Sequence, residues 1–280
     1  MEIVILPTAR DAERLAARIV ADRLRAKPDL VLGCATGATM EGIYAELVRL
    51  HRDEGLSFAR ATTFNLDEYV GLEPDDERSY HYYMRRHLFD HVDLRPENVH
   101  LPDGVAEDLD AEARAYEAAI ELAGGIDLQL LGLGRTGHIG FNEPLSALMS
   151  RTRHIALTPT TREQNAPLFG GDPASVPERA LTMGVGTILE ARELLMVVTG
   201  ERKADVLARA TEGPITSMIS ATALQLHPHC VVIVDEAAAA SLAGRDHYRW
   251  EFEHDPAWAP YRRAASPATT STTSSTRART

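Results

Sequence analysis

Apolar residues come along this chain in short runs separated by stretches of helical spacing. The first run, Glu2 to Leu6, leads into Pro7-Thr8, a break and a helix cap, and then an amphipathic pattern from about Arg10 to Arg25. After Pro28, Leu30 to Gly33 reads as a second strand. Met40 to His51 then reads as a helix with Ile43, Leu47 and Leu50 on one face, and Ala61 to Leu66 as a third strand. Helices are expected over Ser79 to Phe89 and over Leu109 to Ala123, the latter stopped by Gly124-Gly125. Ile126 to Leu131, Leu194 to Thr199 and Cys230 to Val234 read as further strands, with a helix from Glu201 to Ala210 between the last two. Near-continuous apolar strands alternating with helices predict an α/β fold: a single-domain, Rossmann-like, mainly parallel sheet with helices on both faces.

Two stretches break this rhythm. Arg151 to Glu178 is polar and irregular, interrupted by Pro159, Pro167, Gly170, Gly171, Pro173 and Pro177. Loops of that length in compact folds are lids or binding loops, so a mobile active-site lid is expected there. From Ala264 onward, large apolar residues almost vanish. The chain therefore divides into an α/β domain, 1–263, and a disordered Ser/Thr-rich tail, 264–280.

The net charge of -12 over 280 residues argues against nucleic acid, whose binders present basic faces. No run of about 18 apolar residues predicts a membrane span, and MEIVILPTARDAERL lacks the pattern of a signal peptide. Cys34 and Cys230 are too few for a disulfide framework and fit a reducing compartment. These features together predict a cytoplasmic protein.

Ligands of parallel sheets bind beyond the carboxyl ends of the strands, so the turns after Gly33, Leu66 and Leu131 should converge in one crevice. The last of them, LLGLGRTGHIGFNEP, is dense in glycine and carries His138 and Glu143 five residues apart. That pair can pass a proton between two oxygens of a substrate. GLGRTG matches the dinucleotide pattern, but no helix opens directly behind it and no acidic residue follows at the right distance, so a nicotinamide cofactor is not expected. In CATGAT, Thr36, Gly37, Ala38 and Thr39 place hydroxyls and backbone N–H groups at a helix start, an anion site to which Lys203 can add a charge. Asp67 and Glu68 follow a strand directly; adjacent residues on extended chain face opposite ways, so at most one enters the crevice, where a desolvated carboxylate can act as a base on carbon. His81, His87 and His91 share no helical face and read as solvated. His227-Pro228-His229-Cys230 lacks the paired spacing of a zinc site, and no metal is expected.

CATGAT, FNLDEYVGL, GHIGFNEP, SRTR, ALTMGVGTIL and LQLHP, taken together from about Leu6 to Val234, resemble the glucosamine-6-phosphate deaminase/isomerase family. The related 6-phosphogluconolactonases share a similar histidine turn without FNLDEYVGL or FNEP. The resemblance implies a small-molecule amino-sugar phosphate held by CATGAT and Lys203, ring opening by His138 with Glu143, and C2 proton abstraction by Asp67. Fructose 6-phosphate and ammonia are the implied products, and no cofactor is needed. Three positions depart from the family: Thr136 stands where many members have an aspartate partnering the histidine, Pro167 where a lid arginine holds phosphate, and Ile155 where regulated relatives carry a lysine beside the arginine matched by Arg153. Arg162 is a candidate substitute for the lid arginine. These departures keep two alternatives open, a dehydratase expelling the C3 hydroxyl of N-acetylglucosamine 6-phosphate and a non-catalytic sugar-phosphate sensor. The amphipathic helical surfaces are also compatible with a homo-oligomer.

Overall fold

The computed structural model describes residues 1–265; the expected tail lies outside the described residues apart from Ala264 and Ala265, which close the last helix. In chain order the elements are β1 (Glu2–Leu6), α1 (Ala9–Ala26), β2 (Val31–Cys34), α2 (Ala38–Glu54), β3 (Thr62–Asn65), β4 (Asp67–Tyr69), α3 (Tyr80–His87), β5 (Val99–His100), α4 (Leu109–Leu122) and β6 (Leu128–Leu131). They continue with β7 (Arg153–Ala156), α5 (Pro159–Asn165), β8 (Arg179–Thr182), α6 (Val185–Leu189), β9 (Glu193–Val198), α7 (Ala204–Thr211), β10 (Cys230–Asp235), α8 (Arg245–His254) and α9 (Ala259–Ala265). Among the described residues no helix is long and apolar enough to cross a membrane.

Seven strands form one sheet in the order β1-β10-β9-β6-β2-β3-β5, every pair parallel. Both faces are covered, which is why β2, β6 and most of β9 are buried at consecutive positions rather than at alternate ones. Helix starts follow the chemistry of the chain: the Thr8 side chain accepts the Asp11 N–H, Ser79 accepts that of Tyr82, and Asp108 those of Asp110 and Ala111. Right-handed crossovers place α1 and α2 on one face and α4 on the other, where Tyr116 meets Phe64 edge-on at 5.7 Å.

From β2 the chain runs outward through β3 to β5, then returns to β6 on the opposite side of β2 and runs outward again through β9 and β10. The strand order therefore reverses between β2 and β6. That boundary is where such sheets open a crevice at their carboxyl ends.

A second sheet, β4-β8-β7, is antiparallel and does not appear in the sequence reading. Its register pairs Asp67 with Thr182 and Arg153 with that same Thr182. Above it lies a satellite core in which Tyr69 is ringed by Tyr80, Phe141 and Phe169 at 5.0–5.3 Å. Phe169, Ala166 and Val176 of this cluster come from the segment expected to be irregular. It contains β7, α5 and short 3₁₀ turns, so that expectation is corrected: the segment has its own secondary structure and its own apolar anchor.

Candidate active site

Four strands adjacent in the sheet, β9, β6, β2 and β3, deliver their carboxyl-end loops to one rim. Those loops carry Lys203, the turn from Leu133 to Glu143, the stretch Thr36 to Thr39, and Asp67. The expected convergence of three turns is present, and the end of β9 adds a fourth.

Asp67 opens β4 and is 6 % exposed. It and Glu68 face opposite ways, as the pleat requires. Glu68 is engaged in structure: its carboxylate accepts the backbone N–H groups of Tyr69 (2.8 Å), Tyr80 (3.0 Å) and His81 (3.0 Å) and lies 2.9 Å from His81 Nδ1. Three of these contacts, from Tyr80 and His81, are at the first turn of α3 and make Glu68 the anchor of that helix. His81 is therefore not a solvated histidine, because its ring completes this cap. Among the described residues the Asp67 carboxylate, by contrast, accepts no hydrogen bond, and burial followed by the charge of Glu68 pushes it well above the usual carboxylate range. A Cβ placed on Gly140 would stand 2.9 Å from the Thr182 hydroxyl and 3.5 Å from Asp67 Oδ2, and the backbone there has φ 55°. Glycine at 140 is what lets the histidine turn come down onto the carboxylate.

His138 is buried in that turn, with its ring lying where a side chain on Gly134 would go. Its Nδ1 is 2.8 Å from the Thr136 hydroxyl and 3.6 Å from Glu143 Oε2. Glu143 is also buried. Its Oε1 accepts the Thr158 hydroxyl at 3.0 Å, while Oε2 has no hydrogen-bond partner among the described residues. A buried carboxylate oxygen left open beside an imidazole is a ready partner for a proton on that ring. Burial lowers His138 below its ordinary range; Glu143 opposes this and Lys203 adds to it. The ring is thus neutral near pH 7 and able to accept a proton.

The turn is held from behind. Asn142 Nδ2 donates to the carbonyls of Ile139 (2.9 Å) and Met183 (2.8 Å), and its Oδ1 accepts from Arg153 (2.9 Å). The Phe141 N–H donates to the Thr182 hydroxyl at 3.1 Å.

At the other end of the crevice, α2 begins at Gly37, whose φ of 118° turns the backbone, and no side chain caps its first N–H groups. The Tyr83 hydroxyl donates to the Gly37 carbonyl at 2.9 Å, drawing that oxygen out of the way. Thr36 and Thr39 are half-buried, Gly37 and Ala38 exposed, and the Thr39 hydroxyl lies 3.2 Å from that of Thr199. Lys203 Nζ donates to the Leu133 carbonyl at 2.7 Å, and burial, with Arg135 second, lowers its ammonium from the ordinary range. An uncapped helix start with a partly buried ammonium beside it is suited to a phosphate.

All nine expected site residues lie on this rim: Asp67, Thr136, His138 and Glu143 around the turn, and Thr36, Gly37, Ala38, Thr39 and Lys203 at the anion end. Arg162 does not join them; it donates to the Ala174 carbonyl at 3.2 Å and so holds the turns beyond α5. Tyr83, Thr158, Thr182 and Arg135 belong to the rim without having been singled out in the sequence. Of these, only Thr158 carried a legible signal, a threonine before Pro159 at a helix start.

Residues 7–232 match the family model described as glucosamine-6-phosphate isomerases/6-phosphogluconolactonase. The chain belongs to that family. A glucosamine-6-phosphate deaminase of Arthrobacter sp. (strain FB24) is 50% identical over 258 residues, covering 92% of this chain and 99% of the relative. Glucosamine-6-phosphate deaminase 1 of Bacillus subtilis (strain 168) is 46% identical, covering 86% and 99%. Among solved structures, a monomeric glucosamine-6-phosphate deaminase aligns with a TM-score of 0.84 at 46% identity, over 86% of this chain and all of the other. The 6-phosphogluconolactonase of Trypanosoma cruzi aligns with a TM-score of 0.68 at 20% identity, over 86% and 97%, a likeness of fold alone. The lactonase thus shares the fold with this chain, and the deaminases share nearly half of its residues as well.

Proposed function

We propose that the protein opens the ring of glucosamine 6-phosphate, moves a proton from C2 and releases ammonia, giving fructose 6-phosphate. The observation that carries this reading is the Asp67 carboxylate, buried, without a hydrogen-bond donor among the described residues, and set against the histidine turn at Gly140. A carboxylate in that state is a stronger base than one in water and gains from taking a proton off carbon. The deaminases related at about half identity support the choice of an amino sugar.

The sequence of steps follows from the arrangement. Phosphate rests on the start of α2 and on Lys203. Neutral His138 takes the proton of the anomeric hydroxyl as the ring opens, and Glu143 Oε2 stabilises the imidazolium before the proton passes to the ring oxygen. Asp67 then removes the C2 proton of the open-chain aldehyde and returns it to C1 while a proton of the C2 amine passes to O1, leaving a ketimine at C2 that water hydrolyses to the ketone and ammonia. The proton carriers are side chains of this chain.

Purified protein mixed with glucosamine 6-phosphate is expected to release ammonia and fructose 6-phosphate in equal amounts. Absence of ammonia from that substrate, together with ultraviolet absorbance of an unsaturated product from the N-acetylated form, would replace this reading with a dehydratase; saturable binding without turnover of either would replace it with a sensor.

A further inference from the structure

Some arginines of this acidic chain stand against carboxylates: Arg23 against Glu193, Arg49 against Glu46 and Glu54, Arg151 against Glu117 and Glu190. Lys203 and Arg135, at the rim of the crevice, are not among the paired cations. Neither forms a salt bridge among the described residues. Lys203 Nζ is fixed on the Leu133 carbonyl at 2.7 Å, two residues before Arg135 in the same glycine turn. The Arg135 backbone N–H donates to Gln164 Oε1 of α5 at 2.9 Å, so this part of the turn is tied to α5. Two cations share one edge of the crevice, on the side where Thr39 at the start of α2 meets Thr199 at the end of β9, and among the described residues neither has an anionic partner.

We propose that Arg135 is a second cationic ligand of the substrate phosphate, so that the phosphate oxygens are shared among the Arg135 guanidinium, the Lys203 ammonium and the N–H groups at the start of α2. This deepens the proposed function and rests on its placing of the phosphate at this end of the crevice. Adjacent like charges repel, and an anion held between them relieves that repulsion. The depression of Lys203 by Arg135 is the same repulsion seen from the lysine side. A guanidinium offers a fork of donors matched to two phosphate oxygens, whereas Lys203, with one donor used on Leu133, acts as a point charge. The Arg135 side chain is exposed, so its replacement does not disturb the core.

The experiment uses the full chain with Arg135→Gln and Arg135→Lys, read in two ways: steady-state kinetics on glucosamine 6-phosphate, and calorimetric binding of inorganic phosphate. For Arg135→Gln, KM is expected to rise roughly tenfold with a much smaller fall in kcat, and phosphate affinity to weaken by a similar factor, the loss of one charge-assisted contact. Arg135→Lys should recover a good part of both. Unaltered KM and unaltered phosphate affinity in Arg135→Gln would overturn the proposal, as would a wild-type protein that binds no inorganic phosphate. If the wild type releases no ammonia but binds phosphate, and Arg135→Gln weakens that binding, Arg135 stands as a phosphate ligand and the assigned reaction falls.

Discussion

The Thr136 hydroxyl lies 2.8 Å from His138 Nδ1, beside a histidine that burial already makes less basic. A hydroxyl orients the ring without stabilising its cation. Replacing it with a carboxylate, Thr136→Asp, is therefore expected to raise the imidazole pKa. Because the proposed reaction uses neutral His138, the acid limb of the kcat/KM profile should lie below the ordinary histidine range in the wild type and move to higher pH in the variant. Thr136→Val should lower the rate while leaving the limb low. A profile that does not move in Thr136→Asp would mean that His138 is not the group titrating in that limb.

Asp67 and Glu68 are neighbours with opposite assignments, and paired substitutions separate them. Asp67→Asn should reduce turnover by about 10²–10⁴-fold or more, the usual worth of a positioned acid-base group. It should also stabilise the fold at neutral pH. The native pKa of Asp67 lies above its unfolded value, so its favourable contribution is complete below the unfolded pKa and is lost as pH rises through the native one. The Tm advantage of Asp67→Asn should accordingly be clear at pH 8 and fade toward about pH 4. Equal Tm values at pH 8 would contradict a raised Asp67 pKa.

Glu68→Gln should behave in the opposite way. Its carboxylate serves three backbone N–H groups and the His81 ring, and an amide offers a single acceptor oxygen in its place. A loss of about 2–3 kcal/mol is expected from those charge-assisted bonds, seen in denaturant unfolding. The start of α3 should lose protection from hydrogen exchange first. Wild-type stability in Glu68→Gln would remove this residue from the structural side of the pair.

The large sheet was legible because its strands are buried on both faces and leave unbroken apolar runs, and because CATGAT, NLDE and GHIGFNEP follow three of those runs directly. The small antiparallel sheet was not. β4 is three residues long, and β7 and β8 four each, and Asp67, Glu68, Arg153 and His154 occupy positions in them; without alternation over a longer span such strands do not differ from loops. Proline and glycine made the stretch after β7 look irregular, yet Thr158 before Pro159 is a helix start, since proline at the first helical position gives up an N–H that has no partner there anyway. Tyr83 and Arg135 had no local signal. Tyr83 acts across 46 positions of sequence on the Gly37 carbonyl, and Arg135 gains meaning only when β9 brings Lys203 to the adjacent strand end.

Thr158 joins the acid-base pair to the segment above it. Its hydroxyl donates to Glu143 Oε1 at 3.0 Å and accepts the Thr161 N–H at 3.3 Å, so one oxygen both caps α5 and holds the carboxylate whose other oxygen faces His138. In Thr158→Val both functions end: α5 loses its cap, worth about 1 kcal/mol, and Glu143 keeps only the long 3.4 Å contact from the Thr158 N–H. Hydrogen exchange over α5 should quicken and kcat should fall, whereas Thr158→Ser should preserve both. If the valine variant lost protection in α5 with kcat intact, the hydroxyl would be a helix cap alone. A parallel fall in both, restored by serine, is the result expected from a single oxygen that serves the α5 cap and the proposed chemistry together.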